Sequence, residues 1–371
     1  MRIGVPREIK NHEYRVGLVP SAVAELVRRG HTVLIENGAG IGAGLEDKEY
    51  EAAGGEIVRD GAAIWSDAGM IVKVKEPLKA ERLLLSEGQI LFTYLHLAPD
   101  AEQTHDLINS GSTCIAYETV TSATGSLPLL APMSEVAGRL APQAGAHALE
   151  KALGGRGVLL GGVPGVAPAE VLILGGGISG THAATIALGM GAKVTVVDRS
   201  LETLRRLSSQ FGSALQTVFS TATVIEELVR RADLVIGCVL VPGAAAPRLV
   251  TRSMLSTMKP GAVIVDVAID QGGCCETSRA TTHSDPTYMV DGIVHYCVAN
   301  MPGAVARTST IALNNATLPF TIALAEHGWK KALKEDPHLR NGLNIHAGMV
   351  TCAPVAEAHD LNFLDPSTLM Q

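Results

Sequence analysis

Aromatic side chains are scarce in this chain of 371 residues, at 4%, and so is an excess of positive charge. Lys and Arg number 30 against 37 Asp and Glu, which leaves a formal net charge of -7. General nucleic-acid binding needs a basic face that tracks phosphates, so no nucleic-acid partner is expected. Local basic spots remain available for a small anion. Long apolar runs are also missing. The most apolar stretch, 157–180, is interrupted by Gly, Pro and Glu170 and makes no membrane helix. The opening MRIGVPREIK carries charges where a signal peptide has its apolar run. The six cysteines, Cys114, Cys238, Cys274, Cys275, Cys297 and Cys352, have no zinc-ribbon or disulfide spacing. The vicinal Cys274-Cys275 pair reads as buried reduced thiols rather than a redox centre. A cytoplasmic location is the expectation.

What is present is small and aliphatic. There are 39 glycines, and hydrophobic residues make up 47% of the chain. The length is too great for one ordinary core, so two domains are expected. Short β-rich runs alternate with helical segments from the start: Ile3–Val5, Thr32–Ile35, Met70–Val74, Ile90–Tyr94 and Thr113–Tyr117. Such alternation means crossover connections and a parallel sheet. The pattern breaks at Pro128–Pro132. A long helix is expected over about Ser134–Leu153, bent near Pro142, followed by the Gly-rich Gly154–Gly165. A second series then begins with Val171–Leu174, Lys193–Val197, Leu215–Phe219, Asp233–Val239, Ala262–Val267 and Val294–Val298. Six strands complete a doubly wound nucleotide domain. After about residue 305 the chain turns helical again over Thr310–Ala325, a segment that is expected to return to the first domain. The fold class is therefore α/β, with two doubly wound parallel-sheet domains. The second is a Rossmann dinucleotide-binding domain over 129–305, inserted into a substrate and catalytic domain over 1–128 plus 306–371.

The strongest local signal is VLILGGGISGTHAA, residues 171–184. Gly175, Gly177 and Gly180 form GxGxxG directly after a strand and at the start of a helix. They provide a tight turn, close approach of backbone to a pyrophosphate, and close helix–strand packing. The next strand ends at Asp198, placed to accept hydrogen bonds from the adenosine ribose. A carboxylate there repels a 2′-phosphate, so NAD is favoured over NADP, although Arg199 beside it weakens that preference. Ligands of open parallel sheets lie at the carboxyl ends of strands. Those ends are Ser220, Val239 with Leu240, Val267, Ala268, Ile269 and Asp270, and Val298, Ala299, Asn300 and Met301. Their loops are expected to line the cofactor.

The same rule applied to the first domain selects Lys75 after Met70–Val74, His96 after Ile90–Tyr94, and Arg15 after the first strand. Arg15 has the planar fork that clamps a carboxylate. Lys75 would hold a second carboxylate oxygen or a carbonyl oxygen. Histidine is a natural acid–base group, which makes His96 a candidate for proton transfer, and Asp270 is expected to face the same cleft. Two cations, a histidine and an acid around a nicotinamide suit the oxidation of a small α-substituted acid. Domain closure about the 128 and 305 junctions is expected to exclude water.

These residues stand in stretches that resemble the alanine dehydrogenase family. MRIGVPREIKNHEYRVGLVP carries Arg15, KVKEP carries Lys75, FTYLHLA carries His96, and MSEVAGR carries Ser134. GVLLGGVPGV, GGGISGTHAA, VDVAIDQGGC and HYCVANMPGAVARTST follow in order. The similarity runs from residue 1 to about 320. It implies reversible oxidative deamination of L-alanine to pyruvate and ammonia with NAD, in a homohexamer. By resemblance, Arg15 and Lys75 bind substrate, while His96 and Asp270 exchange protons. Cofactor contacts are implied at Ser134, Ile178, Ser179, Asp198, Ser220, Val239, Leu240, Val267–Asp270, Arg279 and Val298–Met301. Three positions depart from the family pattern. Thr203 replaces a frequent basic residue, with Arg205 or Arg199 as substitutes. Ala323 replaces a Glu that pairs with His327 in some relatives, so no metal is expected, and Cys238 replaces a common Ala. Alternatives are the NAD-binding module of a transhydrogenase, a dehydrogenase of another amino acid, and a silent NAD-binding protein.

Overall fold

The computed structural model describes residues 1–239 and 246–371. The chain forms two compact units, Met1–Met133 with Val305–Gln371, and Ser134–Ala304.

The first unit opens with six strands, β1 (Arg2–Val5), β2 (Thr32–Glu36), β3 (Glu56–Val58), β4 (Met70–Val72), β5 (Ile90–Thr93) and β6 (Thr113–Ala116). All their mutual pairings are parallel. Every residue of β4, β5 and β6 is buried. This is why they read as unbroken apolar runs and not as alternating ones. Helices Pro20–Arg28, Gly61–Asp67 and Ala101–Ser110 connect successive strands. Asp60 and Asp100 cap the second and third of these helices by accepting from Ala62 N and Gln103 N. The core on one face gathers Ile64, Trp65, Leu91, Leu107 and Cys114.

The second unit holds β7 (Glu170–Leu174), β8 (Lys193–Asp198), β9 (Leu215–Phe219), β10 (Leu234–Gly237), β11 (Val263–Asp266), β12 (Thr287–Val290) and β13 (Ile293–Tyr296). Its spatial order is β12-β13-β11-β10-β7-β8-β9. Apart from β12, this is the six-strand winding of a dinucleotide-binding sheet, with its switch point between β7 and β10. Leu172, Leu174, Val197, Val229, Val235 and Ile264 fill its core.

The chain then returns to the first unit with β14 (Leu343–His346) and β15 (Met349–Val350), and that sheet reads β15-β14-β6-β5-β4-β1-β2-β3. Its first six strands follow the same winding as the second unit, and their switch point lies between β1 and β4. The helix Ala306–Glu335 is longer than the expected Thr310–Ala325, and its helical geometry breaks at Gly328, where φ is 71°. Its side chains anchor the first unit's N-terminal segment: Thr310 Oγ1 accepts from Val16 N and Asn314 Oδ1 from Val19 N.

Both sheets are parallel-dominated α/β, as expected, but neither is purely parallel. β12 pairs antiparallel to β13, β14 to β6, and β15 to β14. The extra strands lack the apolar run that marks the central ones: β3 and β12 are half-exposed, β14 sets Asn344 and His346 among its apolar residues, and β15 has two residues. The helix expected over Ser134–Leu153 runs over Ala131–Ala148 and is followed by a 3₁₀ turn at Lys151–Leu153.

Candidate active site

In the first unit, Arg15, Lys75 and His96 follow β1, β4 and β5, three adjacent strands at the switch point. Crossovers on opposite sides of the sheet diverge there, which leaves the carboxyl ends open to a ligand.

Lys75 is placed from below by a buried ionic group. Glu8 Oε1 accepts the backbone N–H of Val74 at 2.7 Å and of Lys75 at 3.2 Å. Lys73 Nζ donates to Glu8 Oε2 at 3.1 Å and to Glu81 Oε1 at 2.7 Å, and its side chain is fully buried. Glu81 in turn accepts from Leu78 N. Burial alone would lower the Lys73 ammonium, but the two carboxylates reverse this and hold it above its ordinary value. Burial raises the Glu8 carboxyl, against the opposing charge of Lys73. Breaking such a buried set by removing one partner costs about 3–5 kcal/mol. Thr93 Oγ1 donates to Lys75 O at 3.0 Å and ties the residue to β5. The Lys75 side chain is mostly buried, 3.7 Å from Glu76, which also accepts from Lys10 Nζ.

Arg15 is 2% exposed. Its Nε and Nη2 donate to the two oxygens of Glu13 at 2.7 and 2.6 Å, and Nη1 lies 3.0 Å from Met133 Sδ. Burial opposes the guanidinium charge, but Glu13 overcomes it and raises the group. Sequence reasoning selected Arg15 and missed Glu13, because spacing alone does not show that both side chains are buried.

His96 is exposed and has a left-handed backbone, φ 50°. For a residue other than glycine this costs on the order of 1–3 kcal/mol and persists only when neighbours enforce it. Its ring lies parallel to that of Tyr94, centroids 5.7 Å apart. Tyr94 is itself buried and donates its hydroxyl to Leu129 O at 2.6 Å.

In the second unit, the expected glycine turn joins β7 to the helix Ile178–Gly189. Gly175 has φ 95°, a conformation that favours glycine, and a Cβ at Gly180 would sit 1.8 Å from Gly175 O. Among the described residues a Cβ at Gly177 would meet nothing within 4 Å. Asp198 ends β8 and accepts from Gly176 N at 2.7 Å and Ser200 N at 2.8 Å. Ser179 Oγ donates to Ser134 O at 3.0 Å, which brings these two predicted positions together. Arg206, absent from the sequence reading, donates to Gly176 O and Thr181 Oγ1 and braces the turn from the following helix. Thr203 lies in that same helix.

The remaining predicted positions fall at strand ends as topology requires. Ser220 follows β9, and Val239 follows β10. Leu240 lies outside the described residues. Val267, Ala268, Ile269 and Asp270 form a 3₁₀ turn after β11 in which Asp270 is exposed. The segment after this turn is tied to the buried Asp266, whose Oδ2 accepts from Cys274 N, Cys275 N and Ser278 Oγ. Val298, Ala299, Asn300 and Met301 follow β13, and Asn300 is left-handed at φ 65°. Arg279 is exposed, its guanidinium 4.1 Å from the centre of the Tyr288 ring. Cys274 and Cys275 are buried free thiols, raised chiefly by burial.

The turn, the open helix N-terminus and the acid at the end of β8 fit a dinucleotide: backbone N–H groups for the pyrophosphate and a carboxylate for the ribose. Fold and site together define a dinucleotide-binding α/β protein with a second doubly wound unit. The alanine dehydrogenase/PNT N-terminal domain model matches residues 4–137, and the C-terminal domain model of the same name matches 141–353. The chain belongs to the alanine dehydrogenase/PNT family. It is 61% identical to an alanine dehydrogenase of Halomonas elongata over 370 residues, the full length of both. A solved L-alanine dehydrogenase matches with a TM-score of 0.95 at 54% identity, over 97% of this chain and 99% of that one. A transhydrogenase from Sinorhizobium meliloti matches with a TM-score of 0.81 at 27% identity, over 95% and 99%.

Proposed function

We propose that this protein catalyses the reversible, NAD-dependent oxidative deamination of L-alanine to pyruvate and ammonia. The observation that carries the reading is the placement of Arg15, Lys75 and His96 at the ends of adjacent strands β1, β4 and β5 in a chain of this family. The unit Ser134–Ala304 holds NAD through the turn at Gly175, Gly177 and Gly180, with Ser134, Ile178, Ser179, Asp198, Ser220, Val239, the loop Val267–Asp270, Arg279 and Val298–Met301 as further contacts. When bound, NAD supplies the oxidising equivalent by accepting hydride from the substrate Cα.

The chain's own residues then have distinct tasks. Arg15 and Lys75 bind the carboxylate and carbonyl oxygens of the substrate. Arg15 meets the carboxylate from a guanidinium already oriented by Glu13, so little of the interaction is lost to ordering. His96 takes a proton from the substrate ammonium so that Cα becomes oxidisable. Water added to the resulting imine must then lose a proton, and the amino group must gain one before ammonia leaves. His96, with Asp270 second, performs these transfers. Lys75 stabilises the oxygen that develops charge on the way to pyruvate.

The protein is proposed to act in the cytoplasm as a homohexamer. Among the described residues no helix is long and apolar enough to cross a membrane. The apolar loop bearing Leu159, Val163 and Val166, which are 67%, 53% and 62% exposed, supports burial against another copy.

Alanine-dependent NADH formation tests the reading directly. His96→Ala, Lys75→Ala and Asp270→Asn are expected to lower kcat/KM by about 10²–10⁴-fold. Near-normal turnover in all three overturns it. The transhydrogenase likeness favours a second reading, an NAD-binding exchange module. Failure to form NADH from alanine and NAD alone would select that one.

A further inference from the structure

We propose that Glu118 is a positioning residue for His96, holding the histidine in the orientation needed for proton transfer. The inference rests on the acid–base reading of His96 and deepens it.

β5 and β6 run parallel with Thr93 opposite Ala116. Two residues beyond that pair the strands have ended, and a single 3₁₀ turn, Tyr117–Thr119, projects Glu118 toward the chain leaving β5. Its carboxylate accepts the backbone N–H of His96 at 2.6 Å. It also accepts the N–H of Leu95, at 3.3 Å to one oxygen and 3.2 Å to the other. The same Oε1 lies 3.8 Å from His96 Nδ1, beyond hydrogen-bond reach. One side chain thus grips both peptide N–H groups of the bend and stands beside the ring.

Satisfying donors would not by itself call for a carboxylate here. The His96 side chain is 43% exposed, so water could serve its N–H, whereas the Glu118 side chain is 14% exposed and held between strand ends. What water could not supply is a fixed left-handed turn at residue 96. The Tyr94 ring, parallel to the imidazole, limits its rotation from one side. Glu118 fixes the backbone. It touches no reacting atom in this assignment and acts through His96.

A double-mutant cycle tests this on the full-length protein with L-alanine and NAD. Glu118→Ala is expected to lower kcat by about 30–100-fold with the alanine KM within about threefold, as befits a group acting through a proton-transfer residue. Glu118→Gln keeps an acceptor oxygen and is expected to restore at least about tenfold of that loss. In a His96→Asn background, Glu118→Ala should change the residual rate by less than about threefold, because its effect has nothing left to act through. A full, multiplicative loss in that background, or a wild-type kcat in Glu118→Ala, overturns the proposal while leaving His96 catalytic. A near-normal kcat in His96→Asn overturns the acid–base reading itself. If Glu118→Ala does not fold, Glu118→Asp carries the test. Its carboxylate, one methylene shorter, withdraws from the His96 N–H and lowers kcat at constant KM, and an unchanged kcat overturns the proposal.

Discussion

Cys297 shows how burial sets the chemistry of a single side chain here. It lies behind Ser278 and Tyr288, and burial pushes its thiol up to about 11. Cys114, inside the first unit, is pushed up to about 12 by the same cause. A group raised on folding stabilises the native state fully below its unfolded value, and that contribution is lost as pH rises through the folded one. Stability should therefore fall between pH 9 and about 11. Cys297→Ala should flatten part of that fall in thermal melts taken across the range. An identical alkaline slope in the variant would mean the thiol is not the titrating group. Arg15 and Lys75 were legible as candidates from their places after strands. Their buried partners Glu13, Glu8 and Lys73 were not, because an ionisable residue in sequence looks the same whether it will be solvated or enclosed.

The turn between β7 and its helix was the most legible element. Its spacing states which positions tolerate no side chain, and the structure separates the reasons. Gly180 abuts Gly175 O, while a Cβ at Gly177 meets nothing among the described residues. Gly180→Ala should therefore lower both the melting temperature and NADH affinity. Gly177→Ala should leave melting unchanged yet weaken NADH binding by about tenfold, since its methyl would stand where backbone must approach a phosphate. Fluorescence titration with NADH beside a melting curve distinguishes the two, and equal melting losses would contradict the geometry. Arg206 escaped notice because its partner, Gly176 O, is a backbone atom thirty positions earlier. No local spacing marks a long-range contact of that kind.

Across the molecule, one winding occurs twice, and each sheet carries antiparallel strands at an edge. The winding was visible because crossover helices separate the strands at regular intervals. The edges were not, since β12 is half-exposed, β14 sets Asn344 and His346 among its apolar residues, and β15 has two residues. The exposed Leu159, Val163 and Val166 belong to the proposed assembly. Sedimentation should find a particle six times the chain mass. Replacing Leu159 and Val163 by Asp should yield smaller species, because charges buried at an interface without partners are costly. A monomer in the unsubstituted protein would remove that part of the reading.

Local order along the chain was enough to decide the α/β class, the cofactor turn and the strand ends on which Arg15, Lys75, His96 and Asp270 stand. Those features depend on periodicity and spacing, which are properties of neighbouring residues. Only the folded chain decided which carboxylates lie under which cations, that His96 adopts a left-handed backbone, and that Glu118 holds it. These depend on which side chains meet once the chain is folded, as Lys73 meets Glu8 from 65 positions away and Glu118 meets His96 from 22, where burial and pairing, not residue type, set the energy.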